Sequence, residues 1–134
     1  LINTEGKTVV EVLDEVLGKL IQQGGRCVND NNNCLYGSEG RHCAVGWLLP
    51  DVRSLMTFQG SVNQLLEAPR RASLGPNEAF LNKHRDVLRT LQRLHDVNDS
   101  EGLSAQAEAL RQQLGSEIPL LKDWVEMRRL QIES

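Results

Sequence analysis

The chain has 134 residues, 40% hydrophobic, 25% charged and only 4% aromatic, with a formal net charge of −3. This is the balance of a folded globular protein, long enough to bury roughly two-thirds of its unfolded surface in one domain. The acidity gives no whole-chain pull toward nucleic acid or anionic lipid, no run approaches the roughly 18 apolar residues of a membrane span, and the start lacks a signal-peptide pattern.

Thr8 and Glu11 make a T-x-x-E capping box, and Val9, Val12, Leu13, Val16, Leu17, Leu20 and Ile21 then recur at helical spacing. Gly24-Gly25 ends this helix, since glycine takes the left-handed C-terminal conformation without steric cost. Two short extended pieces follow, Arg26–Val28 and Cys34–Tyr36, around the turn-forming run Asn29 to Asn33, and Gly37 to Gly40 makes a second turn. His42 to Leu49 reads as a short apolar helix stopped by Pro50. Ser61 and Gln64 repeat the capping box ahead of Val62, Leu65 and Leu66, and Pro69 closes that helix. Residues 69–77, carrying Arg70-Arg71 and Gly75-Pro76, are the linker candidate. Asn77 is expected to cap one long helix from Glu78 to Asp96. Two more, Leu103–Leu114 and Pro119–Leu130, are split by Gly115-Ser116.

The expected fold is therefore mainly α. It is a compact bundle of five to six helices spanning 1–134 as one domain, with a small β-hairpin or irregular loop after the first helix. Val12, Val16, Leu20, Val45, Leu48, Leu65, Leu88 and Leu91 are expected to share one core.

Chemistry concentrates between Arg26 and Asp51, which holds all three cysteines. Cys27, Cys34, His42 and Cys43 are zinc-type ligands, but gaps of six and seven residues exceed the tight pairs of a structural site, and adjacent His42 and Cys43 side chains diverge. Buried reduced thiols and a Cys27–Cys34 disulfide are the other readings. An odd cysteine count argues against a closed disulfide framework and for a reducing cytoplasm. No phosphate-binding loop, dinucleotide fingerprint or nucleophile elbow occurs.

The long helix carries a second constellation. Phe80, His84, Val87, Leu88, Leu91, Leu94 and His95 fall in one arc, with Arg85, Arg89 and Arg93 as a stripe on the opposite side. His84 and His95 lie about 16 Å apart along the helix, too far to share a metal. Hydrogen-bonded core histidines are the simpler expectation. The arginines are either a solvated face or a contact for an acidic partner. The chain's 11 arginines against four lysines favour planar, bidentate recognition.

Four motifs occur in order: C-L-Y at 34–36, C-A-V-G-W-L-L-P-D at 43–51, Q-G-S-V-N-Q-L-L at 59–66 and L-x-x-L-Q-x-L-H-D at 88–96. Together they resemble a family of small proteins from bacteria, prophages and phages. The adjacency of Gly60 and Ser61 and the 69–77 segment depart from its pattern. The resemblance implies a phage or mobile-element origin, hence a host cytoplasm, and no particular activity, substrate or cofactor. The expected function is that of a non-enzymatic accessory protein binding a host or phage macromolecule, most directly a protein, including as an inhibitor. The alternatives are a small metalloprotein or enzyme on the Cys/His cluster, with zinc as its cofactor, and nucleic-acid binding through the Arg-striped helix. Oligomeric state is left open.

Overall fold

Thr8 opens the first helix as its spacing predicts. Its hydroxyl accepts the Glu11 amide at 3.2 Å, and the Glu11 carboxylate accepts the Thr8 amide at 2.9 Å. Two donors that a helix start leaves free are thereby satisfied. Helix α1, Val9–Gln22, buries Val12, Leu13, Val16, Leu17 and Leu20. The computed structural model describes residues 1–27, 36–38, 40–68 and 73–134.

After α1 comes a two-stranded antiparallel hairpin, β1 Gly37–Ser38 and β2 Arg41–His42, with Gly37 opposite His42. It sits where the second turn was expected. Of the predicted extended pieces, Val28, Cys34 and Leu35 lie outside the described residues. Tertiary clamps set the strand positions: Gln23, capping α1, donates to the His42 carbonyl at 2.7 Å and accepts the His42 amide at 3.0 Å. A single 3-10 turn, Val45–Leu48, replaces the expected apolar helix. Gly46 presses against the hairpin so closely that a Cβ would overlap the Tyr36 carbonyl oxygen, so the approach requires glycine.

Helix α2, Arg53–Met56, is one short turn that periodicity does not mark. Helix α3, Val62–Glu67, starts on the Ser61/Gln64 box with bonds of 3.2 and 2.8 Å. The expected long helix is divided into α4, Glu78–Lys83, and α5, Arg85–Asp96, at His84, whose φ is −108° and ψ 28°. No glycine or proline marks the break; the His84 ring lies 4.5 Å from that of Phe80 there. The buried face shifts accordingly, with Leu81, Leu88, Leu91, Leu94 and His95 inside and Phe80, His84 and Val87 half-buried. Helix α6, Ser100–Leu114, ends on left-handed Gly115, and α7, Leu121–Glu133, follows. Seven α-helices thus stand among the described residues in a mainly α fold. No helix among those residues is long and apolar enough to cross a membrane.

The linker candidate is described only in part. Residues 69–72 lie outside the described set, but 73–77 are anchored. Leu74 is buried, and the Asn77 amide donates to the carbonyls of Ile2 at 2.7 Å and Leu48 at 3.0 Å while its oxygen accepts the Thr4 hydroxyl at 2.8 Å. Asn77 is a buried tie across the N-terminal segment; its side chain makes no capping bond to α4. Such a tie supplies two backbone acceptors with partners they would otherwise lack.

One core cluster contains all eight expected residues. Helix α5 packs on α3 and α6, and α7 on α6 and α1. Gly18 lets Leu120 close against α1, and Asp14 accepts the Leu120 amide at 2.8 Å, so a carboxylate from one helix caps the start of another. Arg128, 4% exposed, fastens α7 to the α5–α6 loop through the Val97 carbonyl and the Asn98 side chain, both at 3.1 Å.

Candidate functional site

The C-terminal half of α5 faces the start of α3 across a cleft of about 200 Å³, lined by Tyr36, Gly60 to Asn63, Arg89, Gln92, Arg93 and Asp96. Tyr36 donates its hydroxyl to the Gly60 carbonyl at 3.0 Å and so fixes one wall. The buried Asn63 side-chain oxygen has no hydrogen-bond partner among the described residues.

The predicted arginine stripe divides here. Arg85 is committed to Glu67 at 2.6 Å and Asn82 at 3.2 Å and does not reach the cleft. Arg89 pairs only loosely, with Asp86 at 3.7 Å. Arg93 is exposed, and its guanidinium has no ion pair among the described residues. Two of the three arginines therefore open onto one polar recess, one helical turn apart.

Behind the cleft, His95 is fully buried. Its Nε2 accepts the Cys27 amide at 3.1 Å, which leaves the proton on Nδ1 to be donated to Asp96 at 2.7 Å. Trp124 stacks over the ring with planes 8° apart. Burial pushes the His95 pKa down, against an upward pull from the Asp96 hydrogen bond and charge. The geometry agrees, because a second ring proton would confront the Cys27 N–H. His95 is thus a core tie of the expected kind, as the hydrogen-bonded reading requires.

This arrangement makes stability depend on pH. The unfolded chain binds the histidine proton near pH 6.5 and the folded chain only lower. The contribution is therefore complete above about pH 6.5 and declines as pH falls below it. His42 and His84 are shifted downward by burial as well and add to the same slope. Thermal unfolding between pH 7.5 and 5.5 should show a falling melting temperature, and His95→Gln should flatten that fall. An identical slope in the variant would remove His95 from this role.

The candidate zinc ligands are placed as follows. Cys27 and Cys43 are buried free thiols. Cys27 donates Sγ–H to the Arg41 carbonyl at 3.5 Å, and Cys43 Sγ accepts the Gly46 amide at 3.3 Å. Burial raises both thiol pKa values, which keeps them protonated and poor nucleophiles. His42 turns Nε2 toward Asp51 at 3.9 Å and packs on the Trp47 ring. Cys34 lies outside the described residues. Among the described residues no three His, Cys, Asp or Glu side chains come together as a metal-holding group, so Cys27, His42 and Cys43 do not converge.

Comparison with protein-family models, curated proteins and solved structures finds no match. The site is accordingly read from its own geometry.

Tyr36, Gln92 and Asp96 were not singled out from sequence as site residues. A signal was present, since all three fall inside the ordered motifs. Those motifs meet in space: the Cys43 amide donates to the Tyr36 carbonyl at 3.2 Å, the Val45 amide to Gln92 at 3.2 Å, and the Tyr36 hydroxyl to Gly60. Their shared role is to dock the hairpin and its following turn on α5 and so build the back of the cleft.

Proposed function

We propose that this protein is a non-enzymatic accessory protein that works by binding another protein, with the Arg89–Arg93 cleft seating an acidic side chain of that partner. The observation that carries the reading is Arg93: an exposed guanidinium without an ion pair among the described residues, one turn from the loosely held Arg89, at a recess of about 200 Å³. A guanidinium grips a carboxylate through two parallel hydrogen bonds. The recess has room for one such group and falls below the roughly 300–1,000 Å³ of small-molecule pockets.

Other features favour this reading over its rivals. A net charge of −3 opposes a nucleic-acid backbone, whose many phosphates meet the whole acidic surface, whereas a single carboxylate needs only the local Arg89–Arg93 pair. The thiols of Cys27 and Cys43 and the ring of His95 are occupied in the interior, away from the cleft surface. The resemblance to phage and prophage proteins points the same way, toward a small protein that engages a host or phage component in the cytoplasm and blocks it by occupancy.

The test is charge reversal. The Arg89→Glu/Arg93→Glu protein should keep its fold, since exposed substitutions change stability by about 0.5 kcal/mol or less each. A protein captured from bacterial lysate by wild type and identified by mass spectrometry should bind this variant at least about tenfold more weakly in calorimetry on the purified pair. Arg85→Glu, outside the cleft, should bind as wild type does. Equal affinity of the double variant would return the arginines to a solvated face. Salt-sensitive DNA binding by wild type would favour the nucleic-acid alternative. One tightly held zinc per chain, lost together with the fold on chelation, would favour the metalloprotein.

A further inference from the structure

A second surface shares no lining residue with the cleft. Helices α6 and α7 leave between them an open groove of about 650 Å³ whose lining includes Val125 and Leu130. Leu130 is 65% exposed, the most exposed of the large hydrophobic residues on any described helix. Around it α7 presents Lys122, Glu126, Arg129 and Glu133 toward the groove. Lys122 and Glu126 have no ion-pair partner among the described residues, whereas Lys7–Glu15 and Arg85–Glu67 are paired elsewhere and, on the groove's α6 wall, Arg111 pairs with Glu117 and more loosely with Glu108 at 3.7 Å.

The order of these charges is self-complementary. When a second α7 is laid antiparallel in the groove, with a two-fold axis between Met127 and Arg128, residues equidistant from that axis stand level. Lys122 then meets Glu133 of the second copy, Glu126 meets Arg129, and Val125 is level with Leu130. Each pair occurs twice.

Helix α6 fits the same placement. The Ser104–Arg129 bond at 3.2 Å and the Ser100–Glu133 bond at 3.5 Å fix its register against α7. That register sets Glu108 beside Arg129 of the second copy. It also sets Arg111, already holding Glu117 at 3.0 Å, level with Glu133 of the second copy. Between the two copies, no like-charged pair among these residues stands level; Arg111 and Lys122 of one chain, level with each other across the groove, share Glu133 of the second copy.

We propose that the α6–α7 face is a homodimer interface, occupied by the antiparallel α7 of a second copy of this chain about that axis. An unrelated partner would impose no two-fold symmetry on the charge order, and this order has it. Exposed ion pairs contribute little individually, so the assembly is weak and reversible, with the charges selecting register and Leu130 supplying apolar contact.

Sedimentation velocity of the full chain, over a concentration series reaching the millimolar range, should show a monomer–dimer equilibrium. Arg129→Glu, which sets Glu against Glu126 twice, should lower the association constant about tenfold or more. Glu126→Arg/Arg129→Glu should restore it to within about threefold, because the reversed pairs regain opposite signs. Leu130→Ser should weaken association while leaving the circular dichroism spectrum unchanged. Should Arg129→Glu perturb the fold, Lys122→Glu with and without Glu133→Lys tests the same axis. A monomer at every concentration overturns the proposal, as does a dimer indifferent to Arg129→Glu and Leu130→Ser, or a double reversal that fails to restore association. The Arg89→Glu/Arg93→Glu protein should dimerise as wild type does, so the two proposals stand or fall separately.

Discussion

Trp124→Ala should lower the unfolding free energy by about 3–5 kcal/mol, the usual range for truncating a fully buried tryptophan. Trp124 is completely shielded from solvent. It sits on α7, which packs against both α1 and α6, and its ring covers the face of His95 at a centroid distance of 6.3 Å. Removing it opens a cavity and also uncovers the imidazole that ties Cys27 to α5. The variant should therefore lose stability and show a smaller downward shift of the His95 pKa, because burial is the first cause of that shift. Urea unfolding with an unchanged slope measures the first effect, and imidazole proton chemical shifts against pH measure the second. A stable variant with an unaltered His95 titration would place Trp124 outside the core.

Leu88→Ala should cost about 2–5 kcal/mol. Leu88 is wholly buried on α5, the helix that packs against α3, α6 and the 3-10 turn, so little of the surrounding structure is free to collapse into the void. The same helix holds Arg89 and Arg93 at the cleft. A tilt of α5 in the surviving folded protein should therefore also weaken partner capture, whereas Arg85→Glu should not. Denaturant unfolding and calorimetry on one preparation separate these effects. A Leu88→Ala protein as stable as wild type would mean that α5 turns its other face inward.

Much of the local structure was legible because its causes are local. Each capping box is formed by a hydroxyl and a carboxylate or amide three residues apart, which needs nothing from the rest of the chain. The apolar stripe of α1 is likewise a matter of period, and Gly115 ends α6 through its own left-handed conformation. The break at His84 was not legible, because it lies at a residue with no backbone peculiarity. Asn77 was misassigned for a related reason: asparagine before a helix is a good cap, but the carbonyls of Ile2 and Leu48 compete for the same amide and win in the buried setting.

For the candidate site, periodicity placed Arg85, Arg89 and Arg93 on one stripe and could do no more. Which of them is free depends on Glu67, at the end of a separate helix, capturing Arg85. The recess beside Arg89 and Arg93 exists because Tyr36, Ser61 and Asn63 are brought across from other segments. The sequence alone therefore determined a mainly α chain, its first helix, its two capping boxes and its leucine core, since spacing along one helix encodes these. Only the tertiary structure decided where the hairpin pairs, which histidine is neutral and pinned, which cysteines are sealed and which arginines remain available. Those outcomes rest on contacts between residues far apart in the chain, where burial and competition for hydrogen-bond partners, rather than local spacing, select the geometry.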